Sequence, residues 1–236
     1  MSEIVLIHGS CHGAWCWRDV APVLEALGHD VRAIDLPSHG EDPTPLEAVT
    51  LAGYAEAVLA AIRGRAVVVG HSMAGFPISL AAEMAPEKIA RLVYLCAYLP
   101  WDGYSLVEMR KAAPRHPILK ALRRSEDGTC FSFDPAHARE VLYHDCSDDA
   151  VAFALAHLRP QPITPQDTKI ALGDRFAGVA KSYIRCRQDS AIPAEFQDEM
   201  SAGLAPGDVY DLPGSHSPFL ADPAGLAKLI DRIARG

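Results

Sequence analysis

Three side chains in this sequence have the types and the chain order of a nucleophilic relay: Ser72, Asp189 and His216. A serine hydroxyl attacks a carbonyl well only when a neighbouring imidazole takes its proton, and that imidazole needs a carboxylate to hold its tautomer. Ser72 lies in Gly70-His71-Ser72-Met73-Ala74, between the β-branched run 66–69 and an apolar helical pattern over 77–85. Strand, tight turn and helix with a serine at the apex push the hydroxyl out above a sheet. Small residues belong on both flanks, where the strand and helix backbones cross closely. Gly70 and Ala74 stand there, so the pattern is one methyl away from Gly-x-Ser-x-Gly.

The base and the acid follow from chain order, which in this topology runs serine, acid, histidine. His216, in Gly214-Ser215-His216-Ser217-Pro218, is the only histidine beyond the last strand. For the acid, Asp189 leads because it directly follows the fifth strand; Asp102, just past the fourth, is the second candidate. Asp211 lies inside the sixth strand and points elsewhere. Acyl transfer also needs two amides for the developing oxyanion, each typically worth about 3 kcal/mol of transition-state stabilisation. The N–H of Met73, after the nucleophile, is one, and the N–H of Ser10, in the loop after the first strand, is the other. Gly9 lets that backbone approach the substrate oxygen with no side chain in the way.

Alternating strands and helices must carry these residues. Apolar runs at 4–7, 31–34, 66–70, 89–98, 181–187 and 209–212 read as strands, and 15–27, 50–63, 77–85, 193–202 and 223–234 as helices. Such alternation predicts an α/β fold: about six strands, mostly parallel, with helices on both faces. Residues 100–166 break the pattern; the segment is proline-rich and helical, with no convincing strand. It reads as a cap inserted between the fourth and fifth strands over the carboxyl edge of a core formed by 1–99 and 167–236, where open α/β sheets bind ligands. Trp15, Phe76, Tyr98, Phe219 and the cap residues Leu122 and Phe153 are the candidate pocket walls, with Gly9 and Ser217 beside the reacting atoms. Those side chains favour a small apolar or aromatic ester.

Bulk properties narrow the class. A chain of 236 residues suits one large domain with a full core. Its net charge of −8 argues against a nucleic-acid partner. No apolar run approaches transmembrane length, and the start of the chain lacks the basic region of a secretory leader. The six cysteines are scattered with no Cys-x-x-Cys pair, which fits free thiols in a reducing cytoplasm. The histidines fall mostly in separate segments without a His-Glu-x-x-His pattern, so neither a metal nor another cofactor is expected.

The run Ile7-His8-Gly9-Ser10-Cys11-His12-Gly13-Ala14-Trp15, together with Gly70-His71-Ser72-Met73, resembles the α/β-hydrolase group of plant methyl-salicylate esterases, plant hydroxynitrile lyases and bacterial pyrethroid-hydrolase-like carboxylesterases. The likeness continues through Ile192-Pro193-Ala194-Glu195-Phe196-Gln197. Within the cap, His144-Asp145-Cys146-Ser147-Asp148-Asp149 and Leu158-Arg159-Pro160-Gln161-Pro162 resemble the bacterial esterase branch. It covers nearly the whole chain and implies a triad of Ser72, Asp189 and His216, with Ser10 and Met73 as oxyanion amides. The resembling lyases carry threonine at the position of Gly9, lysine at that of Ser217, and Gly-Glu-Ser-Cys at the elbow. Those differences favour ester hydrolysis over a lyase or a non-catalytic small-molecule receptor. Relatives also suggest a homodimer.

Overall fold

The computed structural model describes residues 1–236. Nine strands occur: β1 (Glu3–Ile7), β2 (Asp30–Ile34), β3 (Ala66–His71), β4 (Ile89–Leu95), β5 (Leu122–Arg124), β6 (Cys130–Phe133), β7 (Gln161–Pro162), β8 (Lys181–Cys186) and β9 (Val209–Leu212). Six of them form one sheet in the order β2-β1-β3-β4-β8-β9, and every pairing in it is parallel. The helices between them are α1 (Ala21–Ala26), α2 (Leu51–Ala61) and α3 (Gly75–Met84). After β4 come α4 (Leu106–Ala112), α5 (Pro135–Leu142), α6 (Asp148–His157), α7 (Thr164–Asp167) and α8 (Asp174–Ala177). Beyond β8 lie α9 (Ala194–Ser201), α10 (Pro218–Ala221) and α11 (Pro223–Arg235).

The continuous apolar runs of the central strands are explained by burial on both faces. Ile4 and Leu6 of β1, Val67 and Val69 of β3, and Val93 and Leu95 of β4 join the core that includes Leu24 of α1 and Ile230 of α11. Their neighbours Val5, Ile7, Val68, Leu92 and Tyr94 face the opposite core with Tyr54 of α2, Ile78 of α3 and Phe196 of α9. Period-two alternation along each strand thus feeds two separate apolar layers.

Three local expectations need correction. The pattern over 15–27 is not one helix: a 3-10 turn at Ala14–Trp17 precedes α1, whose first turn is fixed by Pro22. The fourth strand ends at Leu95 rather than Tyr98, because Cys96 adopts φ 35° and turns the chain. The inserted segment is not purely helical either, since β5, β6 and β7 form a small antiparallel sheet within it. These strands have only two to four residues, too short for alternation to show in sequence.

Candidate active site

Loops at the carboxyl ends of β1, β3, β8 and β9 converge on one point, the usual ligand edge of a parallel sheet. Ser72 follows β3 with φ 56°, a left-handed value that a non-glycine residue adopts only when its surroundings hold it there. Cys11 (φ 63°) and Cys96 (φ 35°), flanking the same site, are also left-handed. The elbow is shaped by Gly75 more than by Ala74. A Cβ on Gly75 would lie 1.9 Å from the Tyr98 carbonyl oxygen, whereas Ala74 is helical (φ −60°) and fully buried without strain. The methyl that departs from the usual pattern is therefore simply packed.

His216 Nε2 lies 2.9 Å from Ser72 Oγ, and its Nδ1 lies 2.7 Å from Asp189 Oδ2. All three residues are buried, with Ser72 6% exposed. Asp189 accepts from four donors: the Ala191 and Ile192 backbone N–H groups on Oδ1, and Gln197 Nε2 and His216 Nδ1 on Oδ2. This environment sets the His216 tautomer, with the proton on Nδ1 and the Nε2 lone pair facing Ser72. Asp102 takes no part; it is exposed and accepts from the Leu172 N–H. Asp211 is likewise remote in role, paired with Arg185 at 2.8 Å.

The oxyanion loop is held by histidines whose contribution the sequence did not reveal. His8 Nδ1 donates to the Gly9 carbonyl at 2.8 Å, while its Nε2 accepts from the Leu36 N–H. The Gly9 carbonyl and the Ser10 N–H belong to one peptide plane, so fixing the carbonyl points that N–H the opposite way. His12 Nδ1 donates to the Ser10 carbonyl at 2.8 Å, and the Tyr143 hydroxyl donates to His12 Nε2. Burial holds the His8 imidazole well below its ordinary range and brings that of His12 down to about 4. Both therefore keep the neutral form these bonds require. The Ser10 N–H has no acceptor within the protein, and the Met73 N–H opens a 3-10 turn where no intrahelical acceptor exists.

His71 packs against the relay from behind. Its Nε2 donates to the His216 carbonyl at 2.8 Å, while its Nδ1 is buried without a partner, 2.6 Å from where a Cβ on Gly9 would sit. His71, Cys96 and His216 bring three possible metal ligands together. Yet both ring nitrogens of His216 are engaged by Asp189 and Ser72, and burial pushes the Cys96 thiol well up, away from the thiolate a metal needs. Their chemistry suits a structural cluster.

The predicted pocket walls divide. Leu122 is half-buried and lines a cavity of about 410 Å³ with Gln166, whose Nε2 donates to Ser10 Oγ at 2.8 Å. Phe76 and Phe219 are fully buried; Phe219 sets its ring edge-on to His71 at 4.9 Å. Tyr98 is buried behind the elbow, its N–H donating to the Ser72 carbonyl. Trp15 stacks on His12 and meets Phe153 edge-on at 5.6 Å, on the outer side of the oxyanion loop. Ser217 Oγ is buried with no partner. Gln197 and Gln166, both buried, are site residues that sequence reasoning did not single out: Gln197 closes the Ile192–Gln197 run that resembles the family, and Gln166 leaves no signal in the short Thr-Pro-Gln-Asp helix.

A strained nucleophile turn after the third strand, an acid after the penultimate strand and a histidine after the last match one known architecture. The family model described as alpha/beta hydrolase family matches residues 4–229. The chain belongs to the alpha/beta hydrolase family. This hydrolase is similar to salicylic acid-binding protein 2 of Nicotiana tabacum, at 30% identity with 98% of this chain and 96% of the relative covered. Among solved structures, a pyrethroid hydrolase superposes with TM-score 0.88 at 28% identity, covering 100% of this chain and 98% of that one. Polyneuridine aldehyde esterase superposes with TM-score 0.87 at 27% identity, with 99% of both chains covered.

Proposed function

We propose that this hydrolase is a serine carboxylesterase acting on small apolar or aromatic esters through an acyl-enzyme on Ser72. The observation that carries the reading is the continuous relay from Ser72 Oγ through His216 to Asp189, at 2.9 and 2.7 Å. His216 Nε2 takes the Ser72 proton as Oγ attacks the ester carbonyl. The oxyanion then rests on the Ser10 and Met73 amides, which carry the negative charge in a water-poor site. The leaving alcohol receives the proton from His216, and a water activated by the same imidazole clears the acyl group. Asp189 supports the positive imidazole that forms in both halves.

The relatives named as methylesterases from Arabidopsis thaliana, 30% identical in one case, favour a methyl or similarly small alcohol. A lyase is disfavoured by Gly9 and Ser217, which lack the hydroxyl and ammonium the resembling lyases use, and a receptor role leaves the assembled relay without a purpose. Residues 100–166 act as the cap over this site. No helix is long and apolar enough to cross a membrane, and six free cysteines, five of them buried, suit a cytoplasmic setting. Sedimentation velocity checks the homodimer. The decisive experiment is Ser72→Ala assayed on p-nitrophenyl acetate: a loss of at least about 1000-fold in kcat/KM is expected. A much smaller loss removes Ser72 as nucleophile.

A further inference from the structure

The cavity beside the oxyanion loop has a distinctive lining. Its floor is buried: Phe131 and Gln166 lie there, and both connect to the reacting loop. Gln166 holds Ser10 Oγ, and the Phe131 carbonyl accepts from Cys11 Sγ. The cavity therefore begins one side chain from the amide that binds the ester carbonyl. Leu122 and Ile163 form apolar walls, and Leu119, 53% exposed, marks the mouth. About 410 Å³ is room for a small organic molecule.

The charges around it run against those of the whole protein. The chain carries −8, yet Arg110, Lys111 and Arg124 line this cavity against a single carboxylate, Asp167. Arg124 donates to the Gly128 carbonyl. The side chains of Arg110, half-buried, and Lys111, exposed, make no hydrogen bond and no ion pair within 4.0 Å; the nearby carboxylates Glu108 and Glu195 pair with Lys169 and Arg115 instead. Both cations are therefore free to meet an anion at the mouth of the cavity. Gln166 Oε1, in a residue only 2% exposed, has no hydrogen-bond partner.

We propose that this cavity holds the far end of the substrate, and that Arg110 and Lys111 select an ester bearing a carboxylate there. The chemical class is a monoester of a dicarboxylic acid, or an ester of comparable shape: a carbonyl reaching Ser72, an apolar middle against Leu122, Phe131 and Ile163, and an anion at the mouth. An apolar cavity with cations at its rim suits such an amphipath, because the chain is desolvated while the carboxylate stays near water and charge. The inference rests on the esterase reading for its catalytic consequence, although the binding itself is independent of turnover.

The test separates the two. Binding of monomethyl adipate, suberate and sebacate to the Ser72→Ala protein is measured by calorimetry beside the methyl esters of the matching monocarboxylic acids. At least one monoester should bind roughly 10-fold more tightly than its uncharged partner, and Arg110→Ala/Lys111→Ala should abolish that preference. Raising the salt to about 0.5 M should shrink it, as expected for partly exposed charges. With active enzyme, the double variant should raise KM for the charged ester about 10-fold and leave kcat within twofold, with methyl octanoate unaffected. Arg110→Lys should retain most of the preference, which a collapsed cap would not. Equal binding of charged and uncharged esters, or equal losses for both in the double variant, overturns the proposal. If the parent enzyme turns over no ester, the esterase reading fails while the binding comparison still decides the cavity.

Discussion

Replacing Asp189 by asparagine changes one atom and reverses the hydrogen-bond logic of the site. Asp189 Oδ1 can keep its two backbone donors if the asparagine oxygen takes that place. The new amide nitrogen then faces Gln197 Nε2 and His216 Nδ1, at 3.0 and 2.7 Å in the parent protein. Three donors now meet. The relief available is a switch of His216 to the tautomer protonated on Nε2, which points an N–H at Ser72 and cannot take its proton. Returning to the productive tautomer forfeits a charge-assisted bond of about 1.5–3 kcal/mol and strands a buried donor for about 1–3 more. The total, about 2.5–6 kcal/mol, corresponds to roughly a 70- to 25,000-fold fall in kcat. Burst and steady-state kinetics on p-nitrophenyl acetate read it out, with thermal unfolding run alongside to show that the fold persists. Asp102→Asn, on an exposed residue bonded only to the Leu172 N–H, should stay within twofold of the parent. A loss below about 10-fold at Asp189, or a large one at Asp102, would refute this account of the acid.

Three other expectations concern packing and pH. Gly9→Ala places a Cβ 2.6 Å from His71 Nδ1 and 2.9 Å from Ser72 Cβ, so kcat should fall at least about 10-fold with destabilisation of about 1–3 kcal/mol. For the same reason Gly9→Thr should inactivate the enzyme and give no benzaldehyde from mandelonitrile; release of benzaldehyde would contradict it. Gly75→Ala forces the Tyr98 carbonyl away from the elbow, and soluble, fully active protein with an unchanged Tm would count against the close approach described. His12 is held to about 4 by burial, and burial lowers His8, His39 and His71 too. Unfolding frees these imidazoles to bind protons near 6.5, so stability is full above that pH and falls as the pH drops toward about 4. His12 alone accounts for about 3 kcal/mol of that fall. Urea denaturation at pH 7.5 and 4.5 should show at least this difference, and equal midpoints would rule the coupling out.

Residues with strong local signatures were readable from sequence. The β-branched run before Gly70 and the glycine-punctuated loop after β1 each announce a strand and a turn within a few residues, so the positions of Ser72, Ser10 and Met73 followed directly. Asp189 and His216 needed topology as well, since only strand order places them near Ser72. What escaped was long-range and polar. Gln197 belongs to the acid's environment because α9 folds back onto β8, a role that the resemblance of Ile192–Gln197 marks by position and not by chemistry. Leu122 was identified as a wall on hydrophobicity alone, as were Phe76 and Phe219, yet tertiary packing buried the latter two completely. The cap strands were missed because pairing, rather than local pattern, defines segments so short.

The inserted segment is hydrogen-bonded to both the loop that carries Ser10 and the loop that carries His216. Tyr143 and Gln166 hold the oxyanion loop, and the Arg159 N–H donates to the Cys11 carbonyl. Asp145 accepts from the Ser215 N–H, and Ser215 Oγ donates to the Leu142 carbonyl, beside the base. Selectivity and rate are consequently not separable properties of this enzyme. A graft of another hydrolase's segment would import a new pocket and, with it, a differently aimed Ser10 amide and a differently seated imidazole. Divergence of substrate range in such a chain has to proceed by changes that respect these anchoring contacts.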